Sequence, residues 1–292
     1  GLGYPATMAL ASDWLKNRGE AAGVGIASLC NTLGNIAGIL LAGFVLLNWL
    51  GSNRLLLVLA VSSLLLAGYM VYTARALLPQ VFRYNSSAQY ATLLAVCVAI
   101  VLALWVYPSQ WDLQRLSSGA NVYFADLAHG EVIDARESIQ GGLTTVNRQQ
   151  AEGKETAASV LTLLTNGKFQ GNNAGEVTAQ KAFAQIPLLH QPQRADALVI
   201  GYGTGNSAYT LYELGFNLDI AELTPDIVAL ADKYFADING RVSQQQDVRM
   251  YYTDGRNYLL TQAKRYDLIS MELTSVWFAG AANLYNREFY QL

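Results

Sequence analysis

Gly201, Gly203 and Gly205 stand at alternate positions between an apolar run, 197–200, and a helical pattern, 208–214. Glycines so placed let the chain turn sharply after a strand and bring its backbone close to a ligand. Any tight strand-to-helix turn favours glycine, so the triplet gains meaning from an acid further on. Glu222 closes the run Leu218-Asp219-Ile220-Ala221-Glu222, about 20 residues beyond the glycines, where a carboxylate can accept both hydroxyls of a ribose. Asp254-Gly255 follows 248–252. An acid there can accept from the exocyclic amino group of adenine, N-cap the next helix, or do both. Glu272 follows 266–271, with Thr274 and Ser275 just after it, and a carboxylate at that end can hold a cation or take up a proton. Trp277, Phe278 and Tyr285 read equally as an aromatic lid over a cationic group, beside Gly280-Ala281-Ala282, or as core under a loop.

These groups need a scaffold that gathers them. From residue 197 onward, strand patterns near 197–201, 217–222, 248–252 and 266–271 alternate with helical ones near 207–214, 225–236, 255–263 and from 286 on. That alternation predicts a parallel, doubly wound Rossmann-like sheet, whose ligands sit at the carboxyl ends of the strands. All four groups fall at those ends. Before it, 142–171 predicts a small antiparallel sheet, because Asn166-Gly167 between β-rich runs is a strong hairpin signal. A helix is predicted over 176–189, with Pro187 helping to stop it.

The first third of the chain differs. The whole sequence has 292 residues and is 52% hydrophobic but only 14% charged. Between 21 and 107 the charged residues are Arg54, Arg75 and Arg83 alone. Stretches at 22–47, 55–72 and 88–106 are each apolar enough for a membrane span of about 20 residues, and none has a polar face. Gly34-x-x-x-Gly38 with Ala42 offers a face for close helix packing in lipid, flanked by Asn31 and Asn35. No charge lies within the spans, which favours packing over transport. The expected division is therefore 1–107 transmembrane helices, 108–175 connector and small β domain, and 176–292 nucleoside-binding domain. Beginning at Gly1 and ending at Leu292 within a predicted helix, the chain reads as a piece of a longer protein that lacks later strands of the sheet. A net charge of −3 and a pI near 5.4 give no reason to expect nucleic acid. The two cysteines, Cys30 and Cys97, lie in apolar runs, and His129 and His190 are far apart, so no metal site is expected.

A set of motifs extends through the second half. It comprises Asn166-Gly167-x-x-Gln170, Glu176, Pro187-Leu188-Leu189, Val199-Ile200-Gly201-x-Gly203-x-Gly205, Glu222-x-x-Pro225-x-Ile227, Asp254-Gly255, Tyr266-Asp267-Leu268-Ile269 and Leu284-Tyr285-x-x-Glu288-Phe289-Tyr290. In order and spacing, 143–292 resembles the polyamine aminopropyltransferases, the spermidine synthase family. The whole chain resembles membrane-fused spermidine synthase-like proteins, in which transporter-like helices precede that domain. The resemblance implies that Gly201, Gly203, Gly205, Glu222, Asp254, Gly255 and Gln170 contact decarboxylated S-adenosylmethionine. It places Glu272 and Ser275 at the catalytic end, where the family has Asp-x-x-Asp-Pro and this chain has Glu272-Leu273-Thr274-Ser275-Val276. The family's Tyr-His-Glu becomes Ala179-Gln180-Lys181, and its tyrosine-glutamine is absent from Leu143-Thr144-Thr145-Val146. Desolvating ammonium groups requires acids, so the cofactor side is kept while much of the amine side is changed.

The function this implies is transfer of an aminopropyl group from decarboxylated S-adenosylmethionine to a polyamine or other amine, without a metal. Two alternatives stay open: another S-adenosylmethionine-dependent transferase such as a methyltransferase, and a non-enzymatic nucleoside- or polyamine-binding regulator of the helices. Expected partners are the amine and membrane lipid. A homo-oligomer is allowed, and nucleic acid is not expected. The expected location is the inner (plasma) membrane of a bacterial-type cell. Positive-inside counting places the region after the third span outside, whereas a nucleoside cofactor favours the cytoplasm. Glu222→Gln is expected to weaken nucleoside binding while leaving the melting temperature almost unchanged.

Overall fold

The computed structural model describes residues 20–77, 86–107, 110–125, 127, 130–150, 159–190, 194–271 and 281–292. The chain divides into two units, Gly1–Gln110 and Trp111–Leu292. In the first, α1 (Glu20–Leu41) runs through a π-helical turn, Ala42–Leu46, into α2 (Leu47–Leu77), and α3 (Ser86–Val106) follows. Instead of a loop between the first two predicted spans there is a sharp break at Gly51, whose φ of 72° and ψ of 167° lie outside the helical region. Glycine tolerates that conformation because it has no Cβ to clash.

Helices α2 and α3 pack antiparallel: Gly68 faces Val96, and the Tyr107 hydroxyl donates to the Asn53 carbonyl at 2.8 Å. The Gly34/Gly38 face, expected to pack closely, stands open among the described residues; a Cβ at either glycine would meet nothing within 4 Å. One apolar helical stretch, Ala21–Tyr69 with mean hydropathy 1.8, is long and apolar enough to cross a membrane by length and composition, and Leu94–Val106 is a shorter apolar piece.

The second unit begins with two short helices, α4 (Leu113–Leu116), whose Arg115 N–H is capped by the Asp112 side chain, and α5 (Ala120–Tyr123). A four-stranded antiparallel sheet follows in the order β1 (Glu131–Ser138), β2 (Gly142–Gln149), β3 (Val160–Thr165) and β4 (Lys168–Asn172). The predicted hairpin is present. Asn166 and Gly167 have φ of 51° and 76°, the left-handed pair that a two-residue turn requires. The sheet is wider than the expected 142–171, because β1 falls within the stretch expected to be connector. Its sequence, Glu-Val-Ile-Asp-Ala-Arg-Glu-Ser, is an edge strand with few buried positions, so it lacks the clean alternation that marks a half-buried strand.

Helix α6 (Glu176–Gln185) passes into a 3₁₀ turn at Ile186–Leu189 around Pro187, as the proline requires. Then strands and helices alternate: β5 (Asp196–Ile200), α7 (Asn206–Glu213), β6 (Asn217–Ala221), α8 (Pro225–Tyr234), α9 (Ala236–Asn239), β7 (Val248–Tyr251), α10 (Gly255–Thr261) and β8 (Leu268–Met271). All four strands are parallel, in the order β7-β6-β5-β8. The predicted terminal helix from 286 is instead a 3₁₀ turn, Ala281–Leu284, followed by hydrogen-bonded turns around Asn286.

One core joins the two sheets. Val146 and Leu163 pack with Val199, Ile220, Leu230 and Phe235, so the expected boundary at 175/176 falls within a single packed body. A second cluster, Leu198, Ile200, Ala221, Tyr258, Leu284 and Phe289, covers the other face of the parallel sheet. Asp134 on β1 ties the antiparallel sheet to α8, accepting from Lys233 Nζ at 2.7 Å and the Tyr234 hydroxyl at 2.9 Å.

Asp219, in the middle of β6 and 1% exposed, accepts at Oδ2 from Tyr266 (2.7 Å), Lys264 (3.0 Å) and Tyr258 (3.1 Å). Arg249 Nε lies 3.1 Å from Oδ1 as an ion pair. Burial alone would raise the pKa of this carboxyl, but the bonds from Tyr266 and Lys264 hold it below its ordinary value of 3.8. A depressed folded-state pKa gives stability that is present above the unfolded value and lost as pH falls through the folded one. Asp219→Asn should therefore destabilise the unit by about 1–3 kcal/mol at pH 7. Urea melts at descending pH should show the gap to the unsubstituted protein narrowing below about pH 4. A gap that stays constant down to pH 2 would contradict this role.

Candidate active site

Strand order reverses at β5: the chain moves outward to β6 and β7, then returns to place β8 on the other side. Beyond the carboxyl ends of strands at such a switch point, neighbouring connections diverge and leave a crevice. A cavity of about 660 Å³ opens there, within the 300–1,000 Å³ range usual for small-molecule sites. The structure brings Gly201, Gly203, Glu222, Asp254, Gly255 and Gln170 together around it. Gly205 sits one residue beyond Thr204 of the same wall.

The glycine loop is held in place by several neighbours. Gly201, Gly203 and Gly205 have φ of 89°, 54° and 81°, so each is in a region that side chains disfavour. Tyr202, between the first two, is 5% exposed and donates its hydroxyl to Asp232 Oδ1 at 2.7 Å. Asp232 also accepts from Ser243 and Gln244. Burial first, then the Asp232 charge and hydrogen bond, push the Tyr202 hydroxyl far above its ordinary pKa, so it remains a donor. Asn239, fully buried, donates to the Thr204 carbonyl (2.9 Å) and the Ala231 carbonyl (3.1 Å). The Thr204 hydroxyl donates to Gln180 Oε1 at 3.0 Å, fastening the loop to α6.

Sequence reasoning missed Tyr202, Asp232, Asn239 and Thr204. A tyrosine between loop glycines and the Asn239-Gly240 turn pair were the available signals. Gln180 has a physical role here, since its amide oxygen accepts from the Thr204 hydroxyl.

Glu222, 6% exposed, accepts from the Tyr202 N–H at Oε2 (2.7 Å) and from the Thr224 N–H at Oε1 (2.8 Å). One carboxylate thus clamps the glycine loop to the end of β6, with each oxygen retaining further lone-pair capacity. Burial raises the Glu222 pKa, against the lowering effect of the Tyr202 and Thr224 N–H groups. Asp254 does N-cap α10, accepting from the Asn257 N–H at 2.9 Å at Oδ1, and it also lines the cavity. Gly255 is required because a Cβ there would collide with the Ile200 side chain at the end of β5.

Gln170 is the extra residue of a β-bulge: Leu163 pairs with Gly171 and Leu164 with Phe169, leaving Gln170 unmatched. A bulge redirects the side chain from the regular pleat, and Gln170 lines the cavity while its carbonyl lies beside Gly203. Tyr285 is partly buried against the Leu198 and Ile200 cluster, which favours the core reading for that ring. Glu272, Ser275, Trp277 and Phe278 lie outside the described residues. Among the described residues no three His, Cys, Asp or Glu side chains group as metal ligands.

Residues 176–292 match the spermine/spermidine synthase domain. This part of the chain is spermidine synthase-like. The polyamine aminopropyltransferase of Alkaliphilus oremlandii is 31% identical over 107 residues, covering 36% of this chain and 37% of that protein. That of Methanocaldococcus jannaschii is 25% identical over 131 residues, 44% of each. The chain thus spans less than half of the length of these curated relatives. A crystal structure of spermidine synthase in complex with the transition-state analogue AdoDATO superposes with a TM-score of 0.48 at 17% identity, covering 55% of this chain and 53% of that one.

The double engagement of Glu222 changes the expectation for Glu222→Gln. A glutamine can present an acceptor to only one of the two backbone N–H groups, and its amide donor faces the other. The variant should lose about 1–3 kcal/mol, a melting shift of several degrees, rather than leave the melt unmoved. Differential scanning fluorimetry of the ligand-free protein decides this, and an unchanged melt would mean that the clamp carries no load.

Proposed function

We propose that the protein transfers an aminopropyl group from decarboxylated S-adenosylmethionine to an amine. The observation that carries this is a buried carboxylate, Glu222, beside three left-handed glycines on a 660 Å³ cavity, within a segment matching the synthase domain. The glycine loop and Glu222 take the ribose, Asp254 and the α10 N-terminus the adenine edge, and Gln170 the sulfonium side. In the step itself the amine nitrogen attacks the methylene carbon bonded to sulfur. The N–C bond forms as the C–S bond breaks, and the electron pair goes to sulfur, leaving neutral methylthioadenosine. The attacking nitrogen gives up its proton to a nearby base, a role for Glu272, because a serine hydroxyl at 275 is too weak a base near neutral pH. The protein's larger contribution is in-line orientation of the reactants.

Incubating the full chain with decarboxylated S-adenosylmethionine and a panel of amines should release methylthioadenosine. If it binds methylthioadenosine but releases none with any amine, the reading as a nucleoside-binding regulator replaces this one. That second reading is favoured by Ser275 standing where the family has an acid. If ordinary S-adenosylmethionine is consumed instead, the methyltransferase alternative leads.

Glu222 also sets a pH dependence. Its folded-state pKa lies above its ordinary value of 4.5, so its contribution to stability is fully present below that value and declines as pH rises through the folded one. Two ribose hydroxyls donating to the carboxylate favour its ionised form. Methylthioadenosine should therefore bind more tightly as pH rises from about 4.5 towards neutrality. Calorimetry across that range should show the slope, and Glu222→Gln should flatten it; equal slopes in both proteins would rule Glu222 out as the ribose acceptor.

The same reading places the first unit in a membrane. Ile39, Trp49 and Trp105 are 71%, 80% and 82% exposed, a distribution that suits lipid and is unfavourable in water. The expressed protein should stay in the membrane pellet after carbonate washing, and recovery without detergent in the supernatant would exclude an integral anchor.

A further inference from the structure

Three described acids line the cavity, Glu176, Glu222 and Asp254, and two of them are committed to the backbone. Glu222 clamps the glycine loop to β6, and Asp254 caps α10. Glu176 differs. It is half-buried in the first turn of α6, and among the described residues no hydrogen bond or ion pair engages its carboxylate.

The neighbours of that turn fix where Glu176 stands. Its own N–H donates to Asn172 Oδ1 at 3.3 Å, at the end of β4. Asn206, the first residue of α7, donates from Nδ2 to the Val177 carbonyl at 2.9 Å. Gln180, four residues on from Glu176, accepts from the Thr204 hydroxyl at 3.0 Å. Residues four apart share a helix face, so Glu176 belongs to the face that α6 turns to the glycine loop. The other polar side chains that α6, the second half of the loop and α7 give to the cavity are Gln180, Thr204, Asn206 and Ser207, all neutral. Lys168, which has an interaction of its own, lines the cavity from the opposite end of β4, roughly 13 Å along the strand from Asn172.

With the ribose at Glu222, the glycine loop leads from Tyr202 to Thr204 and Asn206, so whatever the ribose carries on its 5′ carbon extends towards α6. A half-buried carboxylate there is best matched by an ammonium, which offsets its desolvation through charge-assisted hydrogen bonds. Resting on the transferase reading above, we propose that Glu176 holds the terminal ammonium of the aminopropyl arm and selects decarboxylated over ordinary S-adenosylmethionine. Ordinary S-adenosylmethionine bears a carboxylate on the carbon that carries its amine, and that charge would face Glu176. Like charges so placed reject the wrong ligand as effectively as contacts recruit the right one. Glu176 takes no part in the bond changes. It fixes the far end of the arm, while the N–C bond forms and the C–S bond breaks at the other end.

The test is calorimetric titration of the full chain in detergent with decarboxylated S-adenosylmethionine, S-adenosylmethionine and methylthioadenosine. The first two both carry the sulfonium, so their comparison isolates the carboxylate. Decarboxylated S-adenosylmethionine should bind about tenfold or more tightly than the ordinary form. Glu176→Gln should bring the two within about threefold and leave methylthioadenosine unchanged. Glu176→Asp, which keeps the charge, should keep the order of preference, and Glu176→Lys should reverse it. A merely structural role at the start of α6 would weaken all three ligands alike, and that result overturns the proposal. So does a preference that survives in Glu176→Gln, or its absence in the unsubstituted protein. Turnover is read separately, as methylthioadenosine release with a panel of amines. Selective binding without release would end the transferase reading and leave the Glu176 assignment standing.

Discussion

The site depends on a buried carboxylate that is shared between two strand ends. Glu222 takes one backbone N–H from the glycine loop after β5 and one from the turn after β6, each within 2.8 Å. Neither turn could hold its shape cheaply alone. The loop carries three residues at positive φ, and a turn after a strand leaves backbone donors without sheet partners. An acid accepts from both because it has two oxygens and no donor of its own. Burial opposes its charge, and the two N–H groups offset part of that opposition. The pair of acceptor oxygens on Glu222 is therefore what fixes the walls around it.

The remaining supports of the loop are side chains from distant parts of the chain. Tyr202 reaches Asp232 on α8, Asn239 at the end of α9 reaches back to Thr204, and Thr204 reaches Gln180 on α6. Each link spans at least 24 residues. Anchored on three helices, the loop cannot shift without breaking buried hydrogen bonds, each of which leaves an unsatisfied group. A small-molecule pocket benefits from such rigidity, because less ordering is left to be done on binding.

This separation in sequence explains what could be read beforehand and what could not. The alternation of strands and helices, the Asn166-Gly167 turn and the Glu222 and Asp254 positions are local signals, and each was legible. The same holds for the capping role of Asp254, which needs only the following three residues. Gln180 had only a negative meaning in the sequence, as a departure from a motif, because its partner Thr204 lies on another element. Strand β1 was hidden for a different reason: its charged, half-exposed sequence carries Asp134, whose partners Lys233 and Tyr234 come from α8. The break at Gly51 falls between the expected spans 22–47 and 55–72; what the sequence did not show is that one glycine makes it, with helix on both sides instead of a loop.

The two halves of the cavity are built from different materials, and that difference governs how each can change. The half formed by the parallel sheet is made mainly of backbone: positive-φ glycines, a helix N-terminus that tolerates no Cβ at Gly255, and a carboxylate bonded to main-chain N–H groups. Altering it disturbs the sheet itself, since Gly255 rests on Ile200 of β5 and Glu222 on the end of β6. The half formed by the antiparallel sheet presents side chains from a hairpin and a bulge: Gln170 stands outside the strand ladder, whereas the Asn166 side chain itself accepts from the Leu143 N–H and donates to the Gly141 carbonyl. Exchange at Gln170 therefore disturbs the fold less than exchange at Asn166. A lysine and amides on the one wall beside glycines and a clamped carboxylate on the other are what this asymmetry allows.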